Sequence, residues 1–242
     1  TLTHEEHDRV IALTVETVNK RVPVVAGTGS NSTDEAILLT KHAKTAGADA
    51  SLLITPYYNK PTQEGLFRHY KAIAEAVDLP VILYNIPGRT GVNMLPPTVA
   101  RLTAMKNIVA IKEGSGSLQQ VSDLIQACGD RLTVLSGDDA LTLPMMALGA
   151  KGVITVTANI APRDMADMVN AYLAGQTEDA RRLHYKLAPL FTALFYETNP
   201  IPVKTALGLM GRIDEELRLP LCAMASDTKD KLTRAIKDYG LI

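Results

Sequence analysis

The sequence predicts an α/β protein of the (β/α)8 TIM-barrel class with a C-terminal helical extension. Three observations carry that prediction. Short apolar runs recur at about 20 to 30 residues, the length of a βα unit, with helical patterns between them. The runs are apolar nearly throughout rather than alternating, as expected of parallel strands covered on both faces. Polar, chemically capable residues cluster where several of these runs end. That is the habit of a barrel, whereas an open doubly wound sheet gathers its ligand at one switch point.

The strand candidates, in order, are Val22–Ala26, Ser51–Thr55, Val81–Tyr84, Ile108–Lys112, Leu132–Leu135 and Gly152–Val156. Each is short and rich in β-branched residues. Helical spacing of apolar residues fills the gaps. Ala36, Ile37, Leu39 and Ala43 define a helix over Thr33–Ala46 with Gly47 as its stop, and Gly65–Ala76, Leu118–Cys128 and Leu141–Leu148 behave alike. The C-terminal third holds helical patterns only, over Ala161–Ala174, Thr177–Leu194, Pro202–Met210 and Ser226–Tyr239. No linker-like stretch interrupts the chain, which reads as one continuous domain. Residues 1–160 form a partial barrel carrying strands 3–8, and residues 161–242 form helices that complete and extend it. Six βα units leave the barrel two short, so the first two units are expected to be missing from this chain.

Composition narrows the function. A net charge of -1 and the lack of a basic stripe argue against nucleic acid. No apolar run approaches the roughly 20 residues of a membrane span, and no signal peptide is legible. Cys128 and Cys222 have neither metal-ligand spacing nor a disulfide framework, and a reducing cytoplasm is the expected location. His4-Glu-Glu-His7 puts two imidazoles one helical turn apart, but zinc proteases need them four apart, and no third ligand is evident. No metal is expected. Gly27-Thr-Gly-Ser-Asn-Ser lacks the third glycine of a dinucleotide fingerprint and reads as a tight strand-to-helix turn. Gly114-Ser-Gly116 fits an anion-binding turn and a purely conformational one equally. Of the adjacent acids Asp138 and Asp139, the second is expected to cap the following helix.

Lys112 is the most informative residue. It closes the apolar run Ile108-Val-Ala-Ile-Lys, and a lysine there must pair its charge or lose it. Adjacent Glu113 is the ordinary structural partner. Desolvation instead favours the neutral amine, which can attack a ketone and form a Schiff base. Such an enzyme also needs a group to move protons while the carbinolamine collapses and a cation for a substrate carboxylate. Tyr84 and Arg89, flanking Asn85-Ile-Pro-Gly on the preceding unit, supply those two roles. Pro56-Tyr57-Tyr58 adds two phenols at another strand end, each of which alone would read as a packed aromatic.

These motifs resemble the dihydrodipicolinate synthase family, within the N-acetylneuraminate lyase superfamily of pyruvate-dependent class I aldolases. The resemblance spans Thr1 to Ile242. It is strongest in Thr55-Pro-Tyr-Tyr-Asn-Lys-Pro, Tyr84-Asn-Ile-Pro-Gly-Arg-Thr-Gly, Ile111-Lys-Glu, Leu135-Ser-Gly-Asp-Asp, Gly152-Val-Ile-Thr-Val-Thr-Ala-Asn and Asn199-Pro-Ile-Pro-Val-Lys. It implies condensation of pyruvate with aspartate 4-semialdehyde in lysine and diaminopimelate biosynthesis, with pyruvate bound covalently and no other cofactor. Lys112 is implied as the Schiff-base lysine and Tyr84 as the proton relay beside it. Tyr58 is implied to join the relay across a subunit interface, in a homotetramer built as a dimer of dimers. Arg89 is implied to hold the semialdehyde carboxylate, and Gly137 and Ile154 to line the pyruvate pocket. His4, His7, Asn31, Glu35 and Tyr57 match a site where free lysine inhibits. The family also implies about 50 further residues, two βα units with a Gly-x-Thr-Gly-Glu motif, before Thr1. Two other readings stand beside the synthase. One is another pyruvate-lysine aldolase acting on sugar acids, against which Arg89 argues. The other is a fragment without catalysis.

Overall fold

The computed structural model describes residues 1–242. Helix α1 (His4–Val18) opens the chain. Its capping box is complete, with the Thr3 hydroxyl accepting from the Glu6 N–H and the Glu6 carboxylate accepting from the Thr3 N–H. Then follow β1 (Val25–Gly27), α2 (Thr33–Ala46), β2 (Ala50–Ile54), α3 (Gln63–Ala76) and β3 (Val81–Asn85). Two short helices, α4 (Pro87–Thr90) and α5 (Pro96–Leu102), lead to β4 (Ile108–Glu113), α6 (Leu118–Cys128), β5 (Thr133–Ser136) and α7 (Thr142–Leu148). The remainder is helical: α8 (Pro162–Leu173), α9 (Thr177–Ala193), α10 (Ile201–Leu209) and α11 (Ser226–Tyr239).

The five strands form one parallel sheet in the order β1-β2-β3-β4-β5, each paired with its neighbour in sequence. No side chain of β2 or β3 is exposed on either face, which is why these runs lack alternation, whereas in β1 only Ala26 is buried. The sequence had suggested a sixth strand over Gly152–Val156, and the structure corrects this. The ladder continues through Lys151 and Gly152, by bonds from Lys151 N–H to Val134 O (2.9 Å) and from Ser136 N–H to Gly152 O (2.8 Å), and ends in a single bridge residue, Val153. Residues 154–156 form no strand. A short 3-10 turn over Thr157–Asn159 follows, held by Asp139, whose carboxylate accepts from the Thr157 N–H and hydroxyl. The cap of α7 also differs from expectation. Asp138 accepts from the Ala140 and Leu141 N–H groups, and Asp139 is buried on Thr157 instead. Helix α5 was not legible, because Pro96-Pro97 reads as a break although proline suits a first helical turn.

The chain divides into two compact units. One comprises residues 2–137 with 147–152 and holds the sheet and helices α1 to α6. Its core takes one face of each helix. On α3, Leu66, Tyr70 and Ile73 are fully buried at helical spacing, and the Tyr70 hydroxyl donates to Leu53 O. Burial drives that phenol far above its ordinary range. The other unit comprises Thr1, 138–146 and 153–242, with a core of Met165, Met168, Leu187, Leu190, Leu232 and Ile236. No helix is long and apolar enough to cross a membrane.

Candidate active site

Strand pairing brings the first two candidates together. Tyr84 and Lys112 are cross-strand partners at the C-terminal ends of β3 and β4, and Tyr84 also pairs with Ile54 at the end of β2. Cross-strand partners share a face of the sheet. Accordingly the Lys112 Nζ lies 4.2 Å from the centre of the Tyr84 ring. Both side chains are half-buried. Burial pushes the Tyr84 phenol above its ordinary range, against the opposing pull of the Arg89 guanidinium. That phenol therefore holds its proton at neutral pH.

Arg89 is exposed on α4, one turn beyond β3, where its charge reaches Tyr84. The turn is tied down by Thr90, which is 2% exposed. The Thr90 hydroxyl receives a bond from Thr55 (3.2 Å) at the end of β2 and reaches Ile86 O and Val92 O. Gly137 follows β5, and its N–H donates to Glu113 O at 2.7 Å. A Cβ at 137 would sit 3.1 Å from that oxygen, so a side chain there would press on the end of β4. Ile154 is half-buried, in the irregular segment after Gly152. Tyr58 is 91% exposed with φ 70, and its ring is not packed beside Tyr84 and Lys112.

Glu113, the neighbour that could have neutralised Lys112, is 1% exposed. Successive strand residues point to opposite faces, so its side chain leaves from the reverse side. Its carboxylate accepts from the Ser115 N–H (2.7 Å), Asn85 Nδ2 (3.1 Å) and Gln120 Nε2 (3.2 Å). No sequence pattern flags this cluster, because its members lie on three different elements.

A second cluster involves α1 and the start of α2. His4 Nε2 lies 2.9 Å from Glu35 Oε1, and the Ser30 hydroxyl donates to the other Glu35 oxygen. The hydroxyl first and the imidazole second hold this carboxyl below its usual range. His7 Nε2 donates to Gly27 O at 2.9 Å, which fixes the proton on that nitrogen. Asn31 precedes the helix rather than lying in its first turn, and its Nδ2 donates to Tyr57 O at 3.2 Å. The structure thus adds Ser30 and Gly27 to the residues named from sequence. Gly29 between them admits no side chain, since a Cβ would meet Ile54 N at 2.4 Å. Among His, Cys, Asp and Glu side chains, no group of three is placed to hold a metal ion.

Comparison with known proteins places the chain in a family. The sequence model of the Dihydrodipicolinate synthetase family matches residues 1–239. A 4-hydroxy-tetrahydrodipicolinate synthase from Geotalea uraniireducens is 64% identical, over 100% of this chain and 83% of its own length. The whole of this chain is matched, and the expectation of two missing βα units finds no support in that. A solved structure of the chloride-inhibited dihydrodipicolinate synthase from Acinetobacter baumannii, complexed with pyruvate, is 53% identical with TM-score 0.98, covering 100% of this chain and 83% of that one. The same enzyme from Cyanidioschyzon merolae, with lysine bound, is 42% identical with TM-score 0.97, again over 100% and 83%. The chain belongs to the dihydrodipicolinate synthetase family and has the activity for which its relatives are named, that of a 4-hydroxy-tetrahydrodipicolinate synthase.

Proposed function

We propose that Lys112 is the amine on which this condensation of pyruvate with aspartate 4-semialdehyde runs. One observation carries the assignment: the Lys112 Nζ stands 4.2 Å from the ring centre of a half-buried, protonated tyrosine on the adjacent strand. The neutral amine attacks the pyruvate ketone to give a carbinolamine. Loss of water leaves the imine, and removal of a C3 proton gives the enamine. The enamine carbon attacks the semialdehyde carbonyl, forming the new C–C bond; the semialdehyde's own amino group then adds to the imine carbon and displaces the Lys112 amine, closing the ring of the product. Tyr84 donates the proton that lets hydroxide leave as water, and takes one back later in the cycle. Arg89 holds the semialdehyde carboxylate in a two-pronged contact. Gly137 and Ile154 line the pyruvate pocket. Tyr58 relays protons in the site of a neighbouring copy, a role suited to an aromatic so exposed in its own chain. The assembly is a homotetramer arranged as a dimer of dimers.

The wider reading follows the same line. The sheet and helices of residues 1–160 belong to a (β/α)8 barrel, and residues 161–242 complete and extend it. Pyruvate is held covalently, with no other cofactor, and the enzyme works in the cytoplasm. His4, His7, Asn31, Glu35 and Tyr57 bind free lysine as a feedback inhibitor, as the lysine-bound relative suggests. Reduction with borohydride in the presence of pyruvate tests the central step. The intact mass should rise by one reduced adduct, and peptide mapping should place it on Lys112. An adduct on any other lysine overturns the assignment.

A further inference from the structure

The strand step that pairs Tyr84 with Lys112 is followed by one that pairs Asn85 with Glu113. The first pair faces the site and the second faces away from it. Asn85 and Glu113 are 0% and 1% exposed, so a carboxylate is buried directly behind the reacting lysine. Burying a carboxyl group without partners is strongly unfavourable, and this one accepts from the N–H groups of Ser115, Asn85 and Gln120. Asn85 has no freedom to turn round, because its Oδ1 accepts from the Met94 N–H at 2.9 Å. Its Nδ2 therefore points at Glu113 and at Asn93 Oδ1 (2.7 Å). Asn93 and Gln120 exchange reciprocal amide bonds of 2.8 and 3.1 Å. Gln120 then closes the circuit by donating to Glu113. The backbones are joined as well, since the Gly114 N–H donates to Asn85 O at 2.8 Å.

We propose that Asn85 and Glu113 are positioning residues for the imine chemistry, fixing from the reverse face the distance at which Lys112 meets Tyr84. The inference rests on Lys112 as the imine lysine. The network ties the ends of β3 and β4 to the start of α6 and to the loop after α4. A misplacement of about 1 Å between reacting groups is enough to slow a reaction about a hundredfold. A satisfied buried network resists that misplacement, because each member has one arrangement that pairs all its donors and acceptors.

The test is a reciprocal exchange. Glu113→Gln leaves two amides facing one another, and Asn85→Asp leaves two carboxylates. Each breaks the circuit. The double variant N85D/E113Q restores one carboxylate and one amide across the same step. The new carboxylate at 85 still accepts from the Met94 N–H. Three quantities are measured for each form: the rate of borohydride-trapped imine formation at saturating pyruvate, the KM for the semialdehyde, and the melting temperature. Either single variant should trap the imine at least about tenfold more slowly, with the semialdehyde KM little changed. The double variant should recover to within a few-fold of wild type. Folded single variants that trap at the wild-type rate overturn the proposal. So does a double variant that regains melting temperature but not rate, which would make the network structural only. If neither single variant folds, a double variant that folds and traps normally supports it, and failure of all three to fold overturns it. A wild-type protein that forms no adduct at Lys112 refutes the assignment of the lysine itself, a result distinct from all of these.

Discussion

Arg89 stands on a four-residue helix tied to the end of β2 by a buried hydroxyl pair, Thr55 with Thr90. A bidentate guanidinium–carboxylate contact is worth about 1.5–3 kcal/mol, and lysine cannot reproduce its geometry. Arg89→Ala should therefore raise the semialdehyde KM by about ten- to a hundredfold, while borohydride trapping of pyruvate proceeds as before. Separate titration of the two substrates checks this, and normal handling of the aldehyde would remove Arg89 from the site. Residues of this kind are legible in sequence, because a lysine, a tyrosine and an arginine at successive strand ends have few bland explanations together. Glu113 was not legible. Beside Lys112 in the chain it reads as the lysine's counter-ion, and only the two-residue period of a strand sends it to the other face. Its amide partners at 85 and 120 are ordinary residues until the fold assembles them.

At the scale of elements, α1 and α2 meet through a carboxylate. His4 comes from the first turn of α1 and Glu35 from the first turn of α2. A carboxylate held below its usual range stays ionised and suits the ammonium end of an amino acid. Free lysine should inhibit the wild-type enzyme, and Glu35→Ala should raise the lysine concentration for half-inhibition by about tenfold or more with uninhibited turnover nearly unchanged. Superimposable inhibition curves would reduce these residues to polar surface. Helices with a cap and a periodic face, such as α2, α6 and α11, were readable to the residue. Others were not. The four-residue α4 was missed, Pro96-Pro97 disguised α5, and Gly152–Val156 has a strand's composition but pairs only at its first residues, since strand formation is decided by pairing as much as by side chains.

The stability of the molecule as a whole should carry the signature of His69. This imidazole is 6% exposed, bonded through Nδ1 to the Thr33 hydroxyl, with no partner on Nε2. Burial lowers its pKa to about 4 from an ordinary 6.5. Between those values the unfolded chain binds the proton and the folded one refuses it, so stability falls as pH drops through that window and is unaffected above it. The total is of the order of 3 kcal/mol. The carboxyls held low, Glu35, Glu64 and Asp164, lose their contributions only below the ordinary carboxylate pKa, at more acidic pH. Melting temperatures of wild type and His69→Gln should therefore converge as pH falls from 7 to 4.5, and parallel curves would refute the assignment. The in-order parallel sheet was expected from unbroken apolar runs, but which strands pair is a property of the whole chain. That order has a consequence for synthesis. Each new strand pairs with the one made just before it, so its docking surface already exists when it leaves the ribosome. From β1 to β5 no strand waits for a partner made much later. Most loop closures are therefore short, the condition under which folding is fast and exposure to aggregation brief.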